Sequence, residues 1–206
     1  MPKLTLNDIA DLRAYERERD EFRAQVIALK KRRRVPVGDK ISFVFENRDT
    51  IRFQIQEMAR VEKLMSDEAI ETELRIYNPL IPEPGHLAAT MFIELVTDEE
   101  LREWLPKLVG IETEVELRIG AGENGEVTRD TEVVRCLVDP DHAKQLTRED
   151  VTASVHYIHF ALSPEQIERF ATERVALAIT HPDYQHATVL GEETRAELLN
   201  DLRYGG

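Results

Sequence analysis

The chain of 206 residues contains a single cysteine, Cys136. That excludes an intrachain disulfide and a cysteine-based metal cluster, and it fits a reducing cytoplasm. No apolar run approaches the roughly 20 residues that a membrane-spanning helix needs. The first residues, with Lys3, Asn7, Asp8 and Asp11, lack the apolar core of a secretory signal, so a cytoplasmic protein is expected. Signatures of common chemistries are missing as well. There is no phosphate-binding P-loop, no G-x-S-x-G elbow and no His-Glu-x-x-His. Gly120, Gly122 and Gly125 miss the spacing of a dinucleotide fingerprint, and no helical pattern follows them, so they read as a turn. Cys136 lies beside Val134 and Val138 in an apolar strand, which reads as core rather than as a nucleophile.

What is present is a globular composition, 42% hydrophobic and 33% charged. The net charge of −13 is uneven. Residues 1–34 hold ten Lys/Arg against six Asp/Glu, a net of +4, which leaves −17 on the remainder. The basic excess is concentrated in Lys30, Lys31, Arg32, Arg33 and Arg34. An acidic body argues against nucleic-acid binding, because phosphate affinity comes from basic surface. The basic run has three readings: a helix C-terminus complementing the macrodipole, a contact with the protein's own acidic body, or a binding site for an acidic protein partner.

Periodicity predicts a helix over 7–34 with Asn7 as N-cap, stopped by Pro36, and a strand at 41–45 after a turn at 37–40. Residues 47–70 contain no Pro or Gly and read as one long helix. The proline-rich segment 77–85 is a stiff loop, followed by a strand at 87–95. Thr97 to Glu100 is a capping box for a helix carrying Leu101, Trp104, Leu105 and Leu108, which Gly110 closes. Strict alternation at 114–119 predicts a strand with one wet face, joined by a hairpin to 132–138, with a turn at 139–141. A strand at 153–162, a capping box at Ser163–Gln166 with a short helix, a buried strand at 175–179 and a last helix at 192–202 complete the chain. The fold class is α+β, a mostly antiparallel sheet packed with helices. The chain divides into an N-terminal helical arm, 1–36, and a single domain, 37–206.

The most unusual local feature lies in the 47–70 helix. Phe53, Met58, Val61, Leu64 and Met65 fall on one stripe at 100° per residue, and Gln54 and Glu57 fall inside it. A carboxylate facing a core requires a partner. One reading pairs Glu57 with Arg60 or another arginine and lets Gln54 tie down a backbone edge, a polar locus that Tyr184 would complete. The other gathers Glu57, Glu94 and His181 around a divalent metal such as iron, manganese or zinc. Glu94 shares a strand face with Phe92, and His181 ends a buried strand just before Pro182. His156 and His159, three apart on a strand, point to opposite faces, while His86 and His142 lie in loops.

Three blocks carry a family resemblance. Residues 45–58 (FENRDTIRFQIQEM), residues 77–85 (YNPLIPEPG) and residues 87–94 (LAATMFIE), together with His181, Pro182 and Tyr184, resemble the uncharacterised bacterial domain-of-unknown-function family 3501 over nearly the whole chain. The family has no established activity, so the resemblance assigns no catalytic residue. It implies a setting beside rubrerythrin-like and iron–sulfur oxidoreductase proteins, and hence a redox protein partner. On this basis a non-enzymatic accessory or binding protein is expected, with a metal-binding protein or metal-dependent enzyme as the alternative.

Overall fold

The structure, a computed structural model, describes residues 2–138 and 151–206. Six α-helices and eight strands lie among them. In chain order they are α1 (Leu12–Arg33), β1 (Arg34–Val37), β2 (Ile41–Phe45), α2 (Arg48–Glu62), α3 (Asp67–Tyr77), β3 (His86–Ile93), α4 (Asp98–Lys107), β4 (Val115–Ile119), β5 (Glu132–Arg135), β6 (Val155–Ala161), α5 (Pro164–Thr172), β7 (Val175–His181), β8 (Tyr184–Val189) and α6 (Glu192–Tyr204). Two four-stranded sheets form, in the orders β1-β2-β3-β6 and β5-β4-β7-β8. Every pairing is antiparallel, as expected for an α+β fold whose strands are joined by hairpins and helices.

The sheets meet at both edges. Leu137 bridges His159 of β6. On the other side β8 lies along β1, where the Thr188 hydroxyl donates to the Pro36 carbonyl at 2.6 Å and the Tyr184 hydroxyl donates to that of Val37 at 2.9 Å. The strands thus run in a circuit around one core. Alternation supplies it: Ile41, Phe43 and Phe45 from β2, Val115, Leu117 and Ile119 from β4, and Ile158 and Phe160 from β6. Trp104 and Leu105 of α4, Phe170 of α5, and Leu198 and Leu202 of α6 pack against the same core. A second apolar cluster, with Leu4, Ile51, Ile55, Leu74, Leu80 and Ile81, joins α2, α3 and the N-terminal segment, and Tyr157 of β6 packs against it. Burying Ile51 and Ile55 completely stabilises this packing by about 1.5–3 kcal/mol each.

Both predicted capping boxes form, at Thr97–Glu100 and at Ser163–Gln166 with Pro164 leading its helix. Gly110, at φ +88°, follows α4 and opens a short 3-10 turn. Several boundaries differ from the sequence reading. Helix α1 begins at Leu12 because the Asp11 carboxylate accepts the Ala14 N–H, and residues 6–8 form a separate 3-10 turn held by Thr5 and Asp8. Residues 34–37 are an edge strand, so the turn expected at 37–40 occupies 38–40, and Pro36 is tolerated in β1 because only one side of that strand joins a ladder. The helix expected over 47–70 is two helices. Lys63 adopts the left-handed conformation that ends α2, and the Ser66 hydroxyl accepts the Ala69 N–H to begin α3. Strand β8, directly after the turn at Pro182 and Asp183, is also additional to the sequence reading. The predicted strand end at 139–141, the stretch to 150 and His142 lie outside the described residues.

Candidate functional site

The buried face of α2 is not the predicted one. Thr50, Ile51, Ile55, Gln56 and Ala59 are buried, whereas Val61 is 65% and Met65 87% exposed. Ile51, Ile55 and Ala59 recur every four residues and form a narrower stripe that the sheet side selects. Phe53, on the predicted stripe, instead meets Phe22 of α1 edge-on, with ring centroids 5.8 Å apart. Val61 and Met65 project past the end of that contact.

Glu57 therefore faces α1. Its Oε1 accepts the Tyr15 hydroxyl at 2.8 Å and Arg19 Nε at 2.8 Å, while Oε2 accepts Arg19 Nη2 at 3.0 Å and Arg60 Nη2 at 3.2 Å. The Arg19 fork is bidentate, the strong geometry for a carboxylate. These donors, Arg19 above all, hold the Glu57 pKa down to about 2, and burial with Glu57 alongside pushes the Tyr15 hydroxyl up. Gln54 does not share that partner set and hydrogen-bonds Tyr157 of the sheet. Gln56 is the fully buried amide of α2. It receives the Ala10 N–H at 2.7 Å and donates to the Ala10 carbonyl at 3.1 Å, clipping the N-terminal segment to the helix.

Tyr184 lies elsewhere, in the seam between the sheets. Its hydroxyl accepts the Lys40 N–H at 3.0 Å, and its ring stands 4.5 Å from that of His186 and 6.4 Å from that of Trp104. Glu94 lies just past β3, where Oε1 accepts the Ser42 hydroxyl at 2.5 Å and Arg34 Nη1 at 2.8 Å. His181 is buried at the end of β7. Its Nδ1 accepts the Asp183 N–H at 3.2 Å, so Nε2, 3.2 Å from the Val109 carbonyl, carries the proton. The expected Glu57, Glu94 and His181 metal triad is thus corrected: the three occupy different elements with separate partners. Among the described residues no group of three or more His, Cys, Asp and Glu is placed to hold a metal ion. His156 is buried, with Nε2 2.9 Å from both the Thr152 hydroxyl and the Ala153 carbonyl, and burial lowers its pKa. The Cys136 thiol donates to the Glu112 carbonyl at 3.2 Å, and burial pushes its pKa up, against thiolate formation.

The basic run is largely spent within the molecule. Lys30 lies over Phe53, Arg32 pairs with Glu197 at 2.8 Å, and Arg34 pairs with Glu94, leaving Lys31 exposed. Arg33 is corrected as a surface group, because it is completely buried. It donates to the Phe45 carbonyl at 2.7 Å, to the Glu46 carbonyl at 3.1 Å and to the buried Asp201 carboxylate of α6, and Nη1 reaches Glu197 at 3.4 Å. Burial pushes the Asp201 carboxyl up while Arg33 opposes it. The Glu46 carboxylate is also buried, accepting the Thr50 hydroxyl at 2.5 Å and the Thr90 hydroxyl at 2.6 Å. Sequence reasoning missed these two centres. The signal for Arg33 was its spacing, four after Leu29 and seven after Val26, which continues the apolar stripe of α1. Asp201 likewise lies three residues after Leu198 and beside Leu202.

The exposed end of α2 opens onto a groove of about 330 Å³ between the start of α1 and the α2–α3 corner. Leu6, Ile9, Ala59, Leu64, Met65 and Ile70 supply its apolar lining, with Asp11, Arg13, Ser66 and Asp67 among the polar residues.

The chain matches the family described as "Protein of unknown function (DUF3501)" over residues 3–202. A crystal structure of a novel protein of unknown function from Burkholderia pseudomallei K96243 is similar, with 34% identity, a TM-score of 0.85, and coverage of 98% of this chain and 100% of that one. No curated protein matches the chain significantly. With one fold and one set of sequence blocks spanning almost its full length, the chain belongs to the DUF3501 family.

Proposed function

We propose that this protein is a non-enzymatic accessory protein that acts by binding a protein partner in a redox, iron–sulfur or peroxide-handling system. The observation that carries the binding reading is the groove at the α2–α3 corner, an apolar cleft at whose rim Met65 stands in water. Large exposed apolar side chains grouped at a concave surface mark interaction sites more often than chance placement does. The titratable groups that a sequence reader would assemble into a reactive centre are engaged elsewhere: Glu57 joins α1 to α2, Glu94 joins β2 to the end of β3, and His181 closes the β7–β8 turn. The redox setting rests on the family resemblance.

Affinity purification of the tagged chain from its own cells tests the proposal. A stoichiometric redox protein carrying iron or a flavin should co-elute. Elemental analysis of the isolated chain decides against the metal-dependent alternative or for it: a stoichiometric metal that Glu57→Gln removes would overturn the accessory reading.

A further inference from the structure

We infer that the groove between the start of α1 and the α2–α3 corner receives a cationic amphipathic helix of the partner protein, one large apolar side chain of which enters between Ile9, Ala59, Leu64 and Ile70. This rests on the binding reading above and names the surface and the chemistry of what fills it.

Two independent features of the groove lead there. The first is its shape and lining. A volume of about 330 Å³ holds one or two large side chains, not a domain, and its apolar walls come from three separate segments: the residues before α1, the end of α2 and the first turns of α3. Met65, 87% exposed, stands at the rim where an entering side chain would cover it. Val61, on the last turn of α2, is a further exposed apolar side chain at 65%.

The second feature is charge. Asp11 and Asp67 line the groove itself. On α3, Asp67, Ile70 and Glu71 are spaced i, i+3 and i+4, so both carboxylates flank the apolar lining residue on one helical face. Glu62 and Glu68 are exposed beside them. Glu73 also belongs to this group, since burial and the neighbouring Glu62 both push its carboxyl pKa up. The cations on these elements are Arg13, Lys63, Arg75, which is four residues after Glu71, and Arg60, which is engaged by Glu57, fewer than the acids. None of Glu62, Asp67, Glu68 and Glu71 forms an ion pair among the described residues, unlike the acids of α6 that answer Arg32 and Arg33. A partner helix with Lys or Arg flanking its apolar stripe satisfies both features, whereas an acidic helix or a fatty acid meets like charge.

The test uses the full chain and labelled helical peptides of about 14 residues, four turns long. Fluorescence anisotropy should show saturable binding of a Leu/Lys amphipathic peptide, and at least about tenfold weaker binding of a Leu/Glu peptide of the same pattern and of a Lys peptide with Ser in place of Leu. Met65→Ser and Glu71→Lys, both at exposed positions, should each weaken the Leu/Lys peptide by about three- to tenfold with the melting temperature unchanged. Val96→Ser, at a remote exposed position, should leave binding intact. Equal binding of the acidic peptide, or indifference to Met65→Ser and Glu71→Lys, would overturn the assignment. A photo-crosslinking residue placed at 65, and separately at 31 and 96, then separates this claim from the one beneath it. Adducts from position 65 that map to a basic amphipathic segment support the groove. Adducts from 31 or 96 alone overturn the groove and leave a binding protein, and no adduct from any position overturns both.

Discussion

Helix α2 meets its surroundings in two opposite ways. Along its first three turns, polar side chains are withdrawn from water: Thr50 and Gln56 are completely buried, and Glu57 is shielded beneath α1. At its last turn and the corner that follows, apolar side chains are left in water, with Val61 and Met65 among the most exposed of the molecule. Polarity alone does not decide burial here. The polar residues of the first turns each have a specific donor or acceptor from outside the helix, so removing them from water leaves these side chains satisfied. Among the described residues Val61 and Met65 are left uncovered where α2 ends at Lys63 and α3 begins at Asp67.

The comparison can be broken most severely at the buried end. Arg33→Ala leaves the Asp201 carboxylate and two main-chain carbonyls without their donor in a dry site, and should cost about 3–5 kcal/mol in urea unfolding. The paired change Arg33→Met with Asp201→Leu should recover part of that loss, since no charge then remains buried alone. Glu57→Gln is a milder version of the same break. Arg19 and Arg60 both reach solvent, so the loss should be about 1–2 kcal/mol. Its pH dependence has a definite sign. Glu57 titrates near 2 in the folded chain against an ordinary value of 4.5, so its contribution is fully present above about pH 4.5 and disappears as the pH falls toward 2. The stability difference between wild type and Glu57→Gln should therefore shrink over that interval, measurable by denaturant titration at successive pH values. The smallest effect belongs to the exposed corner. Val61→Ser and Met65→Ser should each move stability by less than about 0.5 kcal/mol, which sharpens the contrast with the losses expected at the buried end.

Much of the architecture was legible from local signals. The capping boxes at Thr97 and Ser163 and the alternation at Val115, Leu117 and Ile119 state their structure within a few residues. The α2–α3 boundary was also written locally, in Ser66 followed by Asp67 and Glu68, but the absence of Gly and Pro masked it. Which face of α2 turns inward was not local. Both the Phe53–Met65 stripe and the Ile51–Ala59 stripe have helical spacing, and only the sheet and α1 choose between them. The carboxylate of Glu57 was recognised as needing a partner, yet Tyr15 and Arg19 come from 42 and 38 residues away. Arg33 was hidden for a different reason: four other basic residues surround it, and a run of like charge reads as solvated surface unless its register with Val26 and Leu29 is followed.

That same arginine makes α1 depend on α6. Its carboxylate partner stands 168 positions further along the chain. A contact across so much chain exists only where α6 has docked, so any partly folded form without α6 carries a guanidinium with no counter-charge.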